Sequence, residues 1–331
     1  MNITYRDFNS DDIEGIIRFW NENSGWETNL DVNEFNLRFC SSPCGMPIIM
    51  LAVNEDEQSI VGLCCFLPAY VNLKGEDVVC YRPFGAIIKE SFRQCFGISS
   101  LLTGKHPILK LYHVGSEIAK QKKASLIFLI PDPRWSKLAK VMSFETKRFP
   151  LLSYNLRQDH IPSKEPLYDV RDMNSTDPDI DKLWNQSSRA SICTLTKNRQ
   201  FYHWKINFRH GLYKLKGVYD NNKLIGLFTL HFKECQWVIG DLLPLDDNYG
   251  LTLTLRAACD TAQVEYFKKS PDRDKVYKVA ILATQVIEDK AKALGFYRDN
   301  YNFTLAVQLL DKENFSKADV APDRWYISAT D

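Results

Sequence analysis

The chain lacks a net charge of any size: 42 Lys+Arg stand against 41 Asp+Glu, +1 at pH 7. No overall basic field therefore points to nucleic acid or to an anionic membrane. It lacks any apolar run approaching the ~18 residues of a transmembrane helix. The opening residues, MNITYRDFNSDDIEG, are polar and acidic, without the apolar core of a signal peptide. No stretch is of low complexity. Nine cysteines, an odd number without a secretion signal, read as reduced thiols, so a cytoplasmic location is expected. Cys40 and Cys44 in FCSSPCG have no matching Cys/His pair at useful spacing, so no metal site is expected. Cys64 and Cys65 lie in an apolar run and read as core. What is present is an ordinary globular composition, 45% hydrophobic and 25% charged, in 331 residues: two domains of usual size or one large one.

The pattern favours two. RDFNS at 6–10 returns as RDMNS at 171–175. Each echo follows a short β-type segment and leads through Ser/Thr/Asp caps into an apolar helical period ending in Trp-Asn, at Trp20 and Trp184. SIVGLCCF at 59–66 matches KLIGLFTL at 223–230, each an apolar run after a polar turn and so a strand leaving a hairpin. LAKVMSF, ending at Phe144, matches KAKALGF, ending at Phe296. Three ordered matches imply a tandem duplication. The boundary is expected in DHIPSKEP, giving domains 1–158 and 167–331 joined by a linker at 159–166. Each half then runs strand, helix, antiparallel strands, long helix, buried strand, helix and further strands. The long helices are HPILKLYHVGSEIAKQKK and GLTLTLRAACDTAQVEYFKKS, and the buried strands are ASLIFLI and VYKVAIL. This is an α/β mixed sheet with helices on its faces. Trp20 and Trp184, at helical spacing from apolar residues, read as core.

This order, with the helix ends LAKVMSF and KAKALGF, resembles two GCN5-related N-acetyltransferase (GNAT) domains in one chain. The resemblance implies an acyl-CoA N-acyltransferase fold, with acyl-coenzyme A as co-substrate. The family's phosphate signature, Arg/Gln-x-x-Gly-x-Gly/Ala, lets main-chain N–H groups and a helix N-terminus hold the coenzyme pyrophosphate. In the first half IIKESFR resembles the strand exit, placing the motif Arg at Arg93. The glycine positions fall at Gly104-Lys105-His106 if QCFGISSLLT, which contains Gly97, is an insertion. His106 takes the second glycine's place, ahead of Pro107 at a helix start. In the second half PLDDNYG sets Asp246 and Asp247 where a pyrophosphate would sit, which is electrostatically wrong. The first half is thus expected to bind the acyl-CoA and the second to supply acceptor contacts.

VAPDRWYISATD and FYHWKINFRHGLYKL resemble stretches of two-domain GNAT proteins encoded with bacterial surface-polysaccharide genes, some of them nucleotide-sugar N-acyltransferases. The acceptor so implied is the amino group of a dTDP-linked amino deoxysugar, as in lipopolysaccharide O-antigen synthesis, acylated directly in a ternary complex. The resemblance implies an oxyanion donor among the backbone N–H groups of Ile87, Ile88 and Lys89. Glu90, leaving that strand, is placed to relay the amine proton, and His106 is the other candidate catalytic group. His113, a turn or two into the helix, reads as core or surface. Arg93 and Lys105 face phosphates, and Arg134 and Trp135 lie where cofactor contacts are made. The tyrosine that the family often uses as an acid is replaced by Ala139. Trp204, Arg209 and His210 are acceptor candidates, with an aromatic for the base and an Arg for the pyrophosphate; Trp325 and Asp331 are expected to line the cleft. No nucleic acid or membrane insertion is expected, and two fused domains can complete a cleft in a monomer. A non-catalytic binding protein, or an aminoacyl transferase of the peptidoglycan-bridge type, is the alternative.

Overall fold

A computed structural model describes residues 2–25, 29–96, 100–101, 103–131, 135–156, 168–187, 189–208, 212–245, 249–269 and 275–329. Contacts divide the chain into two units. Unit 1 is Met1–Tyr70, Val78–Thr146 and Ala306–Ala318; unit 2 is Val71–Asp77, Lys147–Leu305 and Asp319–Asp331. Among the described residues no helix is long and apolar enough to cross a membrane.

In chain order the elements of the first half are β1 Ile3–Asp7, α1 Ile13–Asn23, α2 Val32–Phe35, β2 Ile48–Asn54, β3 Ser59–Leu73, β4 Glu76–Ile88, α3 Glu90–Arg93, α4 Pro107–Gln121, β5 Leu126–Leu129, α5 Ser136–Val141 and β6 Glu145–Asn155. Then come β7 Asp169–Asp172, α6 Asp179–Gln186, β8 Thr194–Leu195, α7 Arg199–Phe208, β9 Lys214–Asp220, β10 Lys223–Lys233, β11 Gln236–Leu243, α8 Tyr249–Lys268, β12 Lys278–Leu282, α9 Gln285–Ala293 and β13 Tyr297–Leu309. The α/β class expected from the sequence holds.

Unit 1 orders its strands β1-β2-β3-β4-β5, antiparallel except for the parallel β4·β5 step. Its last strand is residues 306–309 of β13, antiparallel to β5 from Ala306↔Leu129 to Leu309↔Leu126. Unit 2 repeats the plan as β7-β9-β10-β11-β12, with β11·β12 parallel. Its last strand is the 147–155 part of β6, antiparallel to β12. Each unit thus closes its sheet with a strand drawn from the other half of the sequence.

The opening echo marks the same turn in both halves. Arg6 grips Asp12 with both guanidinium nitrogens, at 2.6 and 2.7 Å. Asn9 and Asp12 form a capping box that satisfies N–H groups of the first turn. At the second echo, Asn174 Oδ1 accepts from the Thr176 N–H and hydroxyl. Strand β2 is buried on both faces, as its unbroken apolar run requires. Ile48, Met50 and Ala52 meet Ile108 and Leu111 of α4. Ile49, Leu51 and Val53 meet Ile16, Phe19 and Trp20 of α1. Cys64 and Cys65 fall into these two cores respectively.

Candidate functional site

Strand β4 pairs with β5 at Cys80↔Leu126 and Tyr81↔Ile127 and then continues to Ile88 without further pairing to it. The reason lies in PFG at 83–85. Pro83 has no N–H for a ladder. Gly85 sits at φ +61°, and a Cβ there would meet the Trp20 ring at 2.5 Å. The two strands splay, and the gap is a cavity of about 310 Å³ lined by β4, the end of β5, Ile108 and Tyr112 of α4, Trp135 and Met142. Its lining is mostly apolar, with Arg82 the one charged side chain among those described. The Tyr112 hydroxyl donates to Gln308 Oε1 at 2.5 Å, and Gln308 Nε2 donates to the Met142 carbonyl at 3.1 Å. Burial pushes the Tyr112 phenol well above its usual range, so it stays protonated and acts as a donor.

The same splay forms in unit 2, with a different outcome. The β11·β12 pairing ends at Ile239↔Ile281. Successive N–H groups along a strand point to opposite sides. That of Asp241 donates to Thr229 Oγ1 of β10 at 2.7 Å, so that of Leu242 points to the side β12 has left. The Tyr326 hydroxyl meets it, accepting from Leu242 N–H at 2.9 Å and donating to the Gly240 carbonyl at 3.3 Å. Trp325, Tyr326 and Ile327 are fully buried, and Tyr326 N–H and Cys193 N–H tie this segment down. Beside it Asp241, wholly buried, takes Lys197 at 2.5 Å and Lys205 at 2.8 Å.

A parallel pair of strands that splay behind a long helix decides the fold. This is the GNAT fold in tandem. No family model matches the sequence, and no curated protein matches it. Solved structures share the architecture at low identity. A conserved protein of unknown function from Enterococcus faecalis V583, described as a probable N-acyltransferase, is 14% identical over 93% of this chain and 72% of that one, with TM-score 0.65. A tandem GNAT protein from the clavulanic acid biosynthesis pathway is 13% identical, covering 93% of this chain and 98% of its own, TM-score 0.54. Saccharomyces cerevisiae N-myristoyltransferase with bound myristoyl-CoA is 10% identical, covering 93% and 79%, TM-score 0.54.

Within the GNAT fold, Ile87 and Ile88 lie at the open end of β4, half-buried, and Lys89 just beyond it is exposed. The Lys89 N–H donates to the Val61 carbonyl at 2.9 Å. Glu90 and Arg93 are 75% and 61% exposed and lie 3.8 Å apart. Gly104 adopts φ +71° with open space around it, so its glycine serves conformation rather than clearance. Lys105 is exposed. The N–H groups of Lys105 and His106 both donate to the Ser100 carbonyl, at 2.8 and 3.0 Å. His106 is buried and caps α4, its Nδ1 accepting from Ile108 N–H at 3.3 Å. That bond leaves the proton on Nε2. Trp135 lines the splay cavity. Gly97, Arg134, Arg209, His210 and Asp331, with Asp246, Asp247 and the 159–166 linker, lie outside the described residues. Trp204 is half-buried on α7. Trp325 is fully buried with its indole N–H donating to the Val320 carbonyl at 3.0 Å, so it seats its segment rather than presenting a face. Sequence reading missed Gly85, Tyr112 and Tyr326. Only the first had a signal, a proline and a glycine inside a strand. Among the described residues no cluster of His, Cys, Asp and Glu could hold a metal ion.

Burial, then the Arg93 charge, lowers the His106 pKa below its ordinary 6.5. A depressed His contributes stability that is full above the unfolded value and is lost as pH falls through the folded one. Melting temperature is therefore expected to decline below about pH 6.5. His106→Asn, which keeps a cap and removes the titration, should flatten that part of the profile. An unchanged profile would show that another group carries it.

Proposed function

We propose that the protein is an acyl-CoA-dependent N-acyltransferase, with the thioester held in the β4/β5 splay of unit 1 and the acceptor served by the second half. One contrast carries this reading: the splay of unit 1 is an open cavity, whereas the free edge of β11 in unit 2 is taken by Tyr326. On this reading the halves 1–158 and 167–331, joined by 159–166, are the duplicated copies, and one has kept the donor site.

The acceptor amine attacks the thioester carbonyl carbon, the C–S bond breaks, and the amine proton and the thiolate charge must be dealt with. An N–H of the β4 stretch beyond its pairing with β5, near Gly85 and Ala86, stabilises the oxyanion, since that of Lys89 is already engaged; Ile87 and Ile88 continue this wall. Glu90 receives the amine proton. His106 acts through Nε2–H as a hydrogen-bond donor. Arg93, Lys105 and the loop through Gly97 and Gly104 meet the phosphates, and Arg134 and Trp135 flank the pantetheine arm. Tyr112 turns its hydroxyl from Gln308 to donate a hydrogen bond to the departing sulfur, the role left open by Ala139, and the thiolate takes its proton from solvent. The acceptor we propose is a dTDP-linked amino sugar. Support comes from the resemblance of 201–215 and 320–331 to nucleotide-sugar N-acyltransferases, with Trp204, Arg209, His210 and Asp331 as contacts.

The test is thiol release on incubation with acetyl-CoA or a hydroxylated acyl-CoA and a panel of dTDP-amino sugars. Stabilisation by CoA without turnover on any sugar would favour a binding protein; no stabilisation by any CoA removes the donor site. Tyr112→Phe is expected to lower kcat by about 100-fold, the usual span for the loss of one donor to developing charge, with little change in KM for acyl-CoA. An unaltered kcat would deny Tyr112 any contact with the departing sulfur.

A further inference from the structure

A second cavity, in unit 2, lies against α8 and the end of α9. It measures about 340 Å³ and is lined by Tyr154, Arg256, Cys259, Asp260, Gln263, Ala293 and Leu294. Unit 1 has a groove at the matching place, between α4, the residues after α5 and the closing strand. The two differ in what they do with charge. In unit 1 Glu117 and Lys120 pair on the helix at 2.5 Å and neutralise each other. In unit 2 Arg256 and Asp260, one turn apart on α8, do not pair. The order with the base first is the weaker one on a helix. Asp260 turns instead to Tyr168, whose hydroxyl donates to Oδ2 at 2.5 Å. Its Oδ1 takes no hydrogen bond among the described residues, and the Arg256 guanidinium has neither hydrogen bond nor ion pair there.

One free cation and one free carboxylate oxygen therefore face the same small cavity. The Gln263 amide, 2% exposed, forms part of the wall. Tyr154, Ala293 and Leu294 supply an apolar side. A ligand that answers all of these carries a carboxylate, an ammonium and an apolar group within a few bonds of one another. We propose that this cavity binds a free α-amino acid with an apolar side chain, its carboxylate on Arg256 in the two-pronged geometry guanidinium favours and its ammonium on Asp260. This site does not depend on the acyl-transfer reading.

Calorimetric titration of the full chain tests it, with leucine and phenylalanine set against N-acetyl-leucine, leucinamide and glutamate. Binding of the two apolar amino acids is expected, with loss for N-acetyl-leucine and leucinamide and weak binding of glutamate. Arg256→Gln and Asp260→Asn, at exposed and half-exposed positions, should each weaken leucine roughly tenfold or more while circular dichroism stays unchanged. Equal binding of leucinamide or N-acetyl-leucine, wild-type affinity in either variant, or heat from none of the free amino acids would each overturn the assignment.

Discussion

Asp241→Ala is expected to cost about 3–5 kcal/mol of stability, the loss typical of removing one partner from a buried ion pair. The carboxylate is wholly buried and shared by Lys197 and Lys205. Both ammonium groups sit in a shell that includes the rings of Phe201 and Tyr326, where a charge has little water to turn to. Burial alone would raise the Asp241 pKa; the two lysines overrule it and hold the group well below the usual carboxylate range. A depressed acid contributes stability that is present above the unfolded value and is lost as pH falls through the folded one. Acid sensitivity below about pH 4 should therefore shrink in the variant. Asp172→Ala serves as the control: that carboxylate pairs with Lys216 at 2.8 Å but is 83% exposed, and its removal should cost under about 1 kcal/mol. Urea denaturation followed by tryptophan fluorescence measures both. Similar losses in the two variants would deny the buried triad its weight.

Gly85→Val should close the β4/β5 splay proposed to hold the donor. A left-handed residue with a Cβ loses roughly 1–2 kcal/mol from conformation alone. Here that carbon would also lie 2.5 Å from the Trp20 ring. Trp20 is fully buried, with Phe39 edge-on at 5.7 Å and Phe84 stacked at 6.0 Å, so it has nowhere to yield, and overpacking adds about 1–3 kcal/mol more. The strand must shift, and the cavity wall shifts with it. Thermal stabilisation by CoA and thiol release should both vanish, with the melting temperature several degrees lower. Gly104→Ala separates space from conformation. Its φ is also left-handed, but its Cβ meets nothing within 4 Å, so a loss nearer 1 kcal/mol is expected. If both substitutions behaved alike, the Trp20 contact would have no part in shaping β4.

The duplication was legible because it is written in local chemistry. A cap such as Asn9 and the apolar rows of β2 depend on neighbours a few residues away. Trp20 and Trp184 are buried as their helical spacing required. The closing strands were not legible. An apolar run such as FPLLSYN or NFTLAVQL satisfies any sheet edge that offers a register, and nothing in its pattern says which unit takes it. Tyr326 escaped notice for a similar reason: its value lies in two main-chain groups more than 80 residues away, as the Leu242 and Gly240 bonds record. Capping by His106 was foreseeable from Pro107 after it, but the use of loop N–H groups by the Ser100 carbonyl was not, because main-chain partners leave no mark on side-chain order.

The exchange of closing strands also sets a timetable for synthesis. On a ribosome, β5 emerges long before residues 306–309, and at ordinary elongation rates the interval is on the order of 10–40 s. During that time the β5 edge, destined to pair from Leu126 to Leu129, has no neighbour of its own unit to cover it. A nascent first half is therefore a species with an open apolar edge. Its folding completes only when the second half is nearly made, so the order of translation and the order of folding part company in this chain.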